Sequence, residues 1–241
     1  FQVYQKIGEG LKDQLLAIAR GERTLNLVGH SRGAVECILV AHELERIQKT
    51  IQANPHLTNE ELRTLILSSP KKGTNQTVST MLEEELKNDA FLPAIRTGFN
   101  KADETKLEVN IFGIDPVPGG GVHGINLLAW VDQRFYTLPP IVKDCEIILQ
   151  EHERSRAFEA MLPRIEDPSK TNLNVTKVYG HHGTATGNPD TQTEEEIDGS
   201  KLENPNTGGV QMIALYRMAD FLRNHGSVAL GFHHNFPSTT A

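Results

Sequence analysis

Apolar side chains at Val3, Ile7, Leu11, Leu15 and Ile18 recur at three- and four-residue steps, with polar residues between them. That spacing puts one stripe on a helix, and Gly21 ends it. Thr24-Leu25-Asn26-Leu27-Val28 follows as a short apolar run that fits a buried parallel strand. From Gly33 to Ile51 the helical stripe returns through Ala34, Cys37, Ile38, Ala41, Leu44 and Ile47. Thr58-Asn59-Glu60-Glu61 reads as a helix start, with Leu62, Leu65 and Ile66 behind it. Ser68 to Asn75 reads as a loop and Thr77 to Leu86 as a helix. Strands are predicted over Leu107–Ile114, Val142–Leu149 and Asn174–Tyr179, and a last helix over Val210–Asn224. Glu151 to Leu162 is charged and reads as helical.

This order predicts an α/β fold, a mostly parallel sheet with helices on both faces. The 241 residues suit a single domain, 1–241, with 68–104 as a candidate cap over the site. Residues 184–209, rich in Thr, Gly, Asn, Pro and acids, read as a flexible solvated loop, with a mobile lid as the sharper alternative.

Charge and composition narrow the partners. A net charge of −7 opposes phosphate-backbone binding, so nucleic acid is not expected. No apolar run approaches the ~20 residues of a membrane span, and the first residues lack a basic-then-apolar leader pattern. Cys37 and Cys145 read as buried thiols, and His233-His234 as part of a tail.

The chemistry concentrates at Gly29-His30-Ser31-Arg32-Gly33, between the first strand and the helix after it. In a G-x-S-x-G turn the serine sits at a strained apex, and glycine on each side is expected to let strand and helix pass. A serine hydroxyl needs a base and an oxyanion site to act as a nucleophile. The amide of Arg32, at a helix N-terminus, is a candidate oxyanion donor. The Arg32 side chain is open to two readings, an anionic substrate group or a salt bridge under the turn.

A triad on this fold runs Ser, acid, His along the chain. Asp115 ends an apolar strand and is the leading acid, ahead of Asp132 and Asp144. His181 and His182 both follow a strand end after Asp115. His152 reads as surface, and His123, after three glycines, as a residue that lines the site. Paired histidines also raise a metal-dependent hydrolase, but no third ligand stands at a convincing spacing, so neither metal nor cofactor is expected.

Four blocks resemble the bacterial α/β-hydrolases with a G-x-S-R-G-A elbow, a family that includes lipase effectors of type VI secretion systems. Gly29-His30-Ser31-Arg32-Gly33-Ala34 looks like the family's G-F-S-R-G-A, with His30 in place of Phe. Phe112-Gly113-Ile114-Asp115-Pro116-Val117 looks like its strand ending in W-D-T-V. Glu153-Arg154-Ser155-Arg156-Ala157-Phe158 is similar to its D-E-R-R-x-A-F stretch, with His152 where the leading Asp stands. Tyr179-Gly180-His181-His182-Gly183 looks like its G-x-H-S-D-V-G-G, and that match selects His182. The resemblance spans Thr24 to Leu222 discontinuously. It implies Ser31, Asp115 and His182 as the catalytic triad, with Arg32, His30 and His181 at the oxyanion or substrate. It also implies lipid or phospholipid esters as substrates, contact with a membrane surface, delivery by a dedicated secretion system, and an immunity or carrier protein as partner.

Two departures carry their own expectation. Gly183-Thr184 replaces the family's Ser-Asp, and no strand with a D-G-T segment precedes Val3. The sheet is therefore expected to be short of N-terminal strands. A catalytically silent interaction module stands as the second reading of function.

Overall fold

The computed structural model describes residues 2–68, 82–88, 90–101, 106–118, 133–151, 160–186 and 207–227. Its frame is a four-stranded parallel sheet built from β1 (Thr24–His30), β2 (Glu108–Ile114), β4 (Val142–Gln150) and β6 (Asn172–Val178). These lie in the order β1-β2-β4-β6. A second, two-stranded parallel pair joins β3 (Thr137–Leu138) to β5 (Arg164–Ile165). The helices are α1 (Gln2–Arg20), α2 (Arg32–Ala53), α3 (Asn59–Leu67), α4 (Phe91–Lys101) and α5 (Thr207–Asn224).

Strand alternation sorts the side chains between two faces. Leu25, Leu27, Val109, Ile111, Cys145 and Ile147 join Ile7, Leu11, Leu15, Ile38, Leu44, Ile95 and Phe99 in the principal core. On the opposite face Phe112, Ile114, Ile148 and Val178 pack with Val210, Ala214 and Phe221 of α5. The expected two-sided α/β arrangement is therefore the observed one, with four parallel strands.

The apolar stripes explain the placement of the helices. Ile7, Leu11, Leu15 and Ile18 of α1 are all fully buried. Glycine permits the closest crossing: a Cβ on Gly98 of α4 would come within 2.5 Å of the Ile18 carbonyl oxygen. At α3 the predicted start is a complete capping box. The Thr58 hydroxyl accepts from the Glu61 amide, and the Glu61 carboxylate accepts from the Thr58 amide at 2.8 Å.

Part of the interval expected as a cap is core instead. Residues 82–86 are helical, and Leu82 and Leu86 are buried in the principal core with Phe91, Leu92, Ile95 and Phe99 of α4. Burying those six side chains against α1 and α2 is worth more than holding them over a solvent-facing cleft. Most of the predicted loop 184–209 and the tail with His233-His234 lie outside the described residues, as do His123, Asp132 and the stretch 152–158.

One end of the α5 face is polar. Asn26, Asn110, Asp144 and Asn172 stand in register across all four strands. The Asn110 amide donates to Asn26 Oδ1 at 3.0 Å, and Asn172 donates to Asp144 at 3.0 Å. The end of α5 docks on this row. His225 donates from Nε2 to Asp144 (3.0 Å), and Asn26 donates to the His225 carbonyl (3.1 Å) and to Ser227 Oγ (2.7 Å). The opposite ends of the strands, where the chain leaves β1, β2 and β6, carry the candidate chemistry. Cys145 is buried and Cys37 partly so; both are free, and burial pushes both thiols up, away from the reactive thiolate.

Candidate active site

β1 runs into α2 through a single residue, Ser31, with φ 58° and ψ −124°. This backbone region costs an L-residue about 1–3 kcal/mol and persists only where neighbours enforce it. They do so here. The Ser31 amide donates to the Ile114 carbonyl at 2.8 Å, and its own carbonyl accepts from Ala34 (3.1 Å) and Val117 (3.3 Å). A serine at this helix position normally turns its hydroxyl back to cap the first turn. Ser31 makes no such bond, and its Oγ lies 2.7 Å from His182 Nε2.

The two glycines of the turn are not equivalent. A Cβ on Gly29 would sit 2.3 Å from the Gly33 carbonyl oxygen and 2.5 Å from the Ala34 amide nitrogen. A Cβ on Gly33 would meet nothing within 4 Å. The expectation that both are needed for strand and helix to pass is thus corrected: Gly29 alone sits at the crossing, while Gly33 faces open space. Gly113 on the neighbouring strand adds to the clearance, since its Cβ would press on Ala34 at 3.3 Å and Ile147 at 2.7 Å.

Asp115 follows β2 and is fully buried. It too has a positive φ, 49°. Its amide donates to the Ile148 carbonyl at 2.8 Å, which extends the β2–β4 ladder by one bond and fixes the turn. Oδ1 accepts from the Gln150 amide at 3.0 Å, and Oδ2 accepts from His182 Nδ1–H at 2.8 Å. The acid therefore reaches the imidazole with both oxygens engaged, and it sets the tautomer that leaves Nε2 free to accept from Ser31.

His182 lies in the turn after β6, with its side chain 14% exposed. Its carbonyl is held from two sides, by the Gln150 side-chain amide (2.9 Å) and by His30 Nε2–H (2.9 Å). Gln150 Oε1 also accepts from the Thr184 amide at 3.2 Å, so one residue at the end of β4 ties the acid's turn, through its backbone amide, to the histidine's loop, through its side chain. His181 serves that loop through its backbone: its amide donates to Thr184 Oγ1 at 3.0 Å, and its carbonyl accepts from the Thr184 amide at 2.8 Å. The histidine that meets both Ser31 and Asp115 is His182.

His30 stacks its ring on that of His182, with centroids 4.9 Å apart and an interplanar angle of 30°. Burial, more than the opposing hydrogen bond to the His182 carbonyl, holds the His30 imidazole below its ordinary value of 6.5, so the ring is neutral at pH 7. Arg32 projects an exposed side chain and makes no ion pair with a described residue, and its charge acts on the Glu36 carboxyl one turn along α2. The amides of Arg32 and Gly33 bond to no described backbone carbonyl, as expected for the first turn of a helix, and stand beside Ser31.

Gln150 was not visible in the sequence as a site residue. It is a polar residue at the end of an apolar strand, and such residues are common. Among the described residues no group of three or more His, Cys, Asp and Glu is placed to hold a metal ion. No described helix is long and apolar enough to cross a membrane. A polar cavity of about 360 Å³ lies between β4, β6 and α5, lined by Asp144, Asn172, Arg217 and His225 among others, at the far ends of the strands from Ser31. The sequence matches no protein-family model and no curated protein.

Proposed function

We propose that the chain is a serine hydrolase that cleaves carboxylic ester bonds through an acyl-enzyme, with lipid or phospholipid esters as its substrates. The observation that carries this reading is the continuous relay from Asp115 through His182 to Ser31, at 2.8 Å and 2.7 Å. Both links fall within the reach that proton transfer needs.

The chemistry follows from the placement of each group. Ser31 Oγ attacks the ester carbonyl carbon as its proton passes to His182 Nε2. Asp115, buried and bonded to Nδ1, balances the imidazolium that forms. The negative oxygen of the tetrahedral intermediate takes the Arg32 amide, aided by the positive end of α2. Collapse expels the alcohol, which leaves with the proton from His182. Water then attacks the acyl carbon as its proton passes to His182, and the acid is released when the bond to Ser31 Oγ breaks and His182 returns that proton to Oγ.

The resemblance of the elbow and of the Asp115 and His182 blocks supports lipid esters. The exposed Arg32 beside the nucleophile, which makes no ion pair among the described residues, supports an anionic head group. The test is ester turnover on a short-chain nitrophenyl ester and on phospholipid vesicles. Ser31→Ala and His182→Ala are expected to lose roughly 1,000-fold or more in kcat, while His181→Ala retains most of it. A fully active His182→Ala variant would overturn the assignment.

A further inference from the structure

Resting on the serine-hydrolase reading above, we propose that His30 is a positioning residue for the reaction, a second imidazole that holds His182 in register with Ser31 and must itself stay neutral for turnover. Two contacts carry this. The rings stack at 4.9 Å, and His30 Nε2–H donates to the carbonyl of His182 itself at 2.9 Å. One contact restrains the imidazole plane and the other restrains the backbone beneath it. Because His30 is the residue directly before Ser31 and its carrier strand is fixed in the sheet, it couples the nucleophile's turn to the histidine's loop without passing through substrate.

The requirement for neutrality follows from the same stacking. In the attack step His182 gains a proton and becomes a cation. A neutral ring face beside a cation is favourable, whereas a second imidazolium at 4.9 Å opposes the charge that the step creates. The charged groups acting on His30 are His182, from the loop after β6, and Asp115, from the end of β2. Burial already disfavours protonation of His30 and holds it below its ordinary value of 6.5.

His30→Phe keeps a stacked ring but removes the donor and the titrating group. His30→Gln keeps a donor but removes the ring. Both variants are expected to fold, to react with a fluorophosphonate at Ser31, and to lose about tenfold in kcat with KM changed by less than about twofold, since neither contact involves substrate. The pH profile separates positioning from mere packing. In the wild type kcat/KM is expected to carry an acid-side loss as His30 becomes charged, below the ordinary value of 6.5. In His30→Phe that acid-side loss is absent, because the titrating ring is gone. An unchanged kcat in both variants, a loss confined to KM, or an acid-side loss that persists unaltered in His30→Phe would overturn the proposal. A wild type that never reacts with the fluorophosphonate overturns the hydrolase reading and this inference with it, whereas failure of the His30 predictions leaves the labelling intact.

Discussion

Ser31 and Asp115 are the two non-glycine residues with positive φ among those described, and they stand at opposite ends of one relay. Strain of about 1–3 kcal/mol at each is held by ladder bonds that continue beyond β1 and β2, so the sheet itself sets the angle at which serine and acid face His182. Gly29 makes the serine's turn sterically feasible. Gly29→Ala is expected to cost roughly 3 kcal/mol or more of stability, because its Cβ would overlap the backbone of Gly33 and Ala34. Gly33→Ala, with open space at that Cβ, is expected to leave the denaturation midpoint nearly unchanged. Equal losses in the two variants would contradict the asymmetry. Ser31 and Asp115 were legible because each occupies a position with a local signature, an elbow motif and the end of an apolar strand. His181 and His182 were not separable by such signatures. Adjacent residues in a turn point in different directions, and only the three-dimensional path from β6 decides which ring reaches Ser31; the resemblance pointed to His182. Gln150 lacked any signature, since its role exists only once Asp115 and the His182 loop converge on it.

Helices and sheet strands were the most readable elements, because each buries one repeating stripe. α1, α2 and α3 appear where the spacing of Ile, Leu and Val placed them, and the Thr58-Glu61 box marks the start of α3 to the residue. α4 was missed although Phe91, Ile95 and Phe99 recur at four-residue steps. Pro93 stands in its first turn, where the missing N–H costs no helical bond. β3 and β5, at two residues each, are too short to carry a period. α2 also contains a half-buried titratable group. His42 donates from Nε2 to the Thr137 carbonyl of β3 at 2.6 Å, and burial holds its imidazole below the ordinary value. A histidine whose folded value is depressed leaves the unfolded chain binding more protons in the window below 6.5. Stability is therefore expected to be full above that value and to decline as the pH falls through it, with His30 contributing in the same direction. In His42→Gln the difference between urea midpoints at about pH 7 and about pH 5 is expected to shrink relative to the wild type. A difference as large as the wild type's would contradict that source.

At the scale of the molecule, a parallel sheet with neighbouring strands in chain order gathers three distant turns at the carboxyl ends of its strands. Ser31 follows β1, Asp115 follows β2 and His182 follows β6, so residues far apart in sequence meet because all the strands point the same way. The α5 face divides the labour: apolar side chains lie under the relay, and the row Asn26, Asn110, Asp144 and Asn172 at the other end receives the last turn of α5. The two-sided α/β plan was legible in the alternation of elements. The polar row was not, because a single polar residue within each strand gains meaning only from the register that aligns all four.

The most direct measurement of the central claim is peptide mapping by mass spectrometry after treatment of the wild-type chain with a fluorophosphonate. The account predicts one stoichiometric adduct on Ser31 that forms with His182 intact and drops at least about 100-fold in rate in His182→Ala. An adduct on another serine, or none at all in a folded preparation, would contradict it.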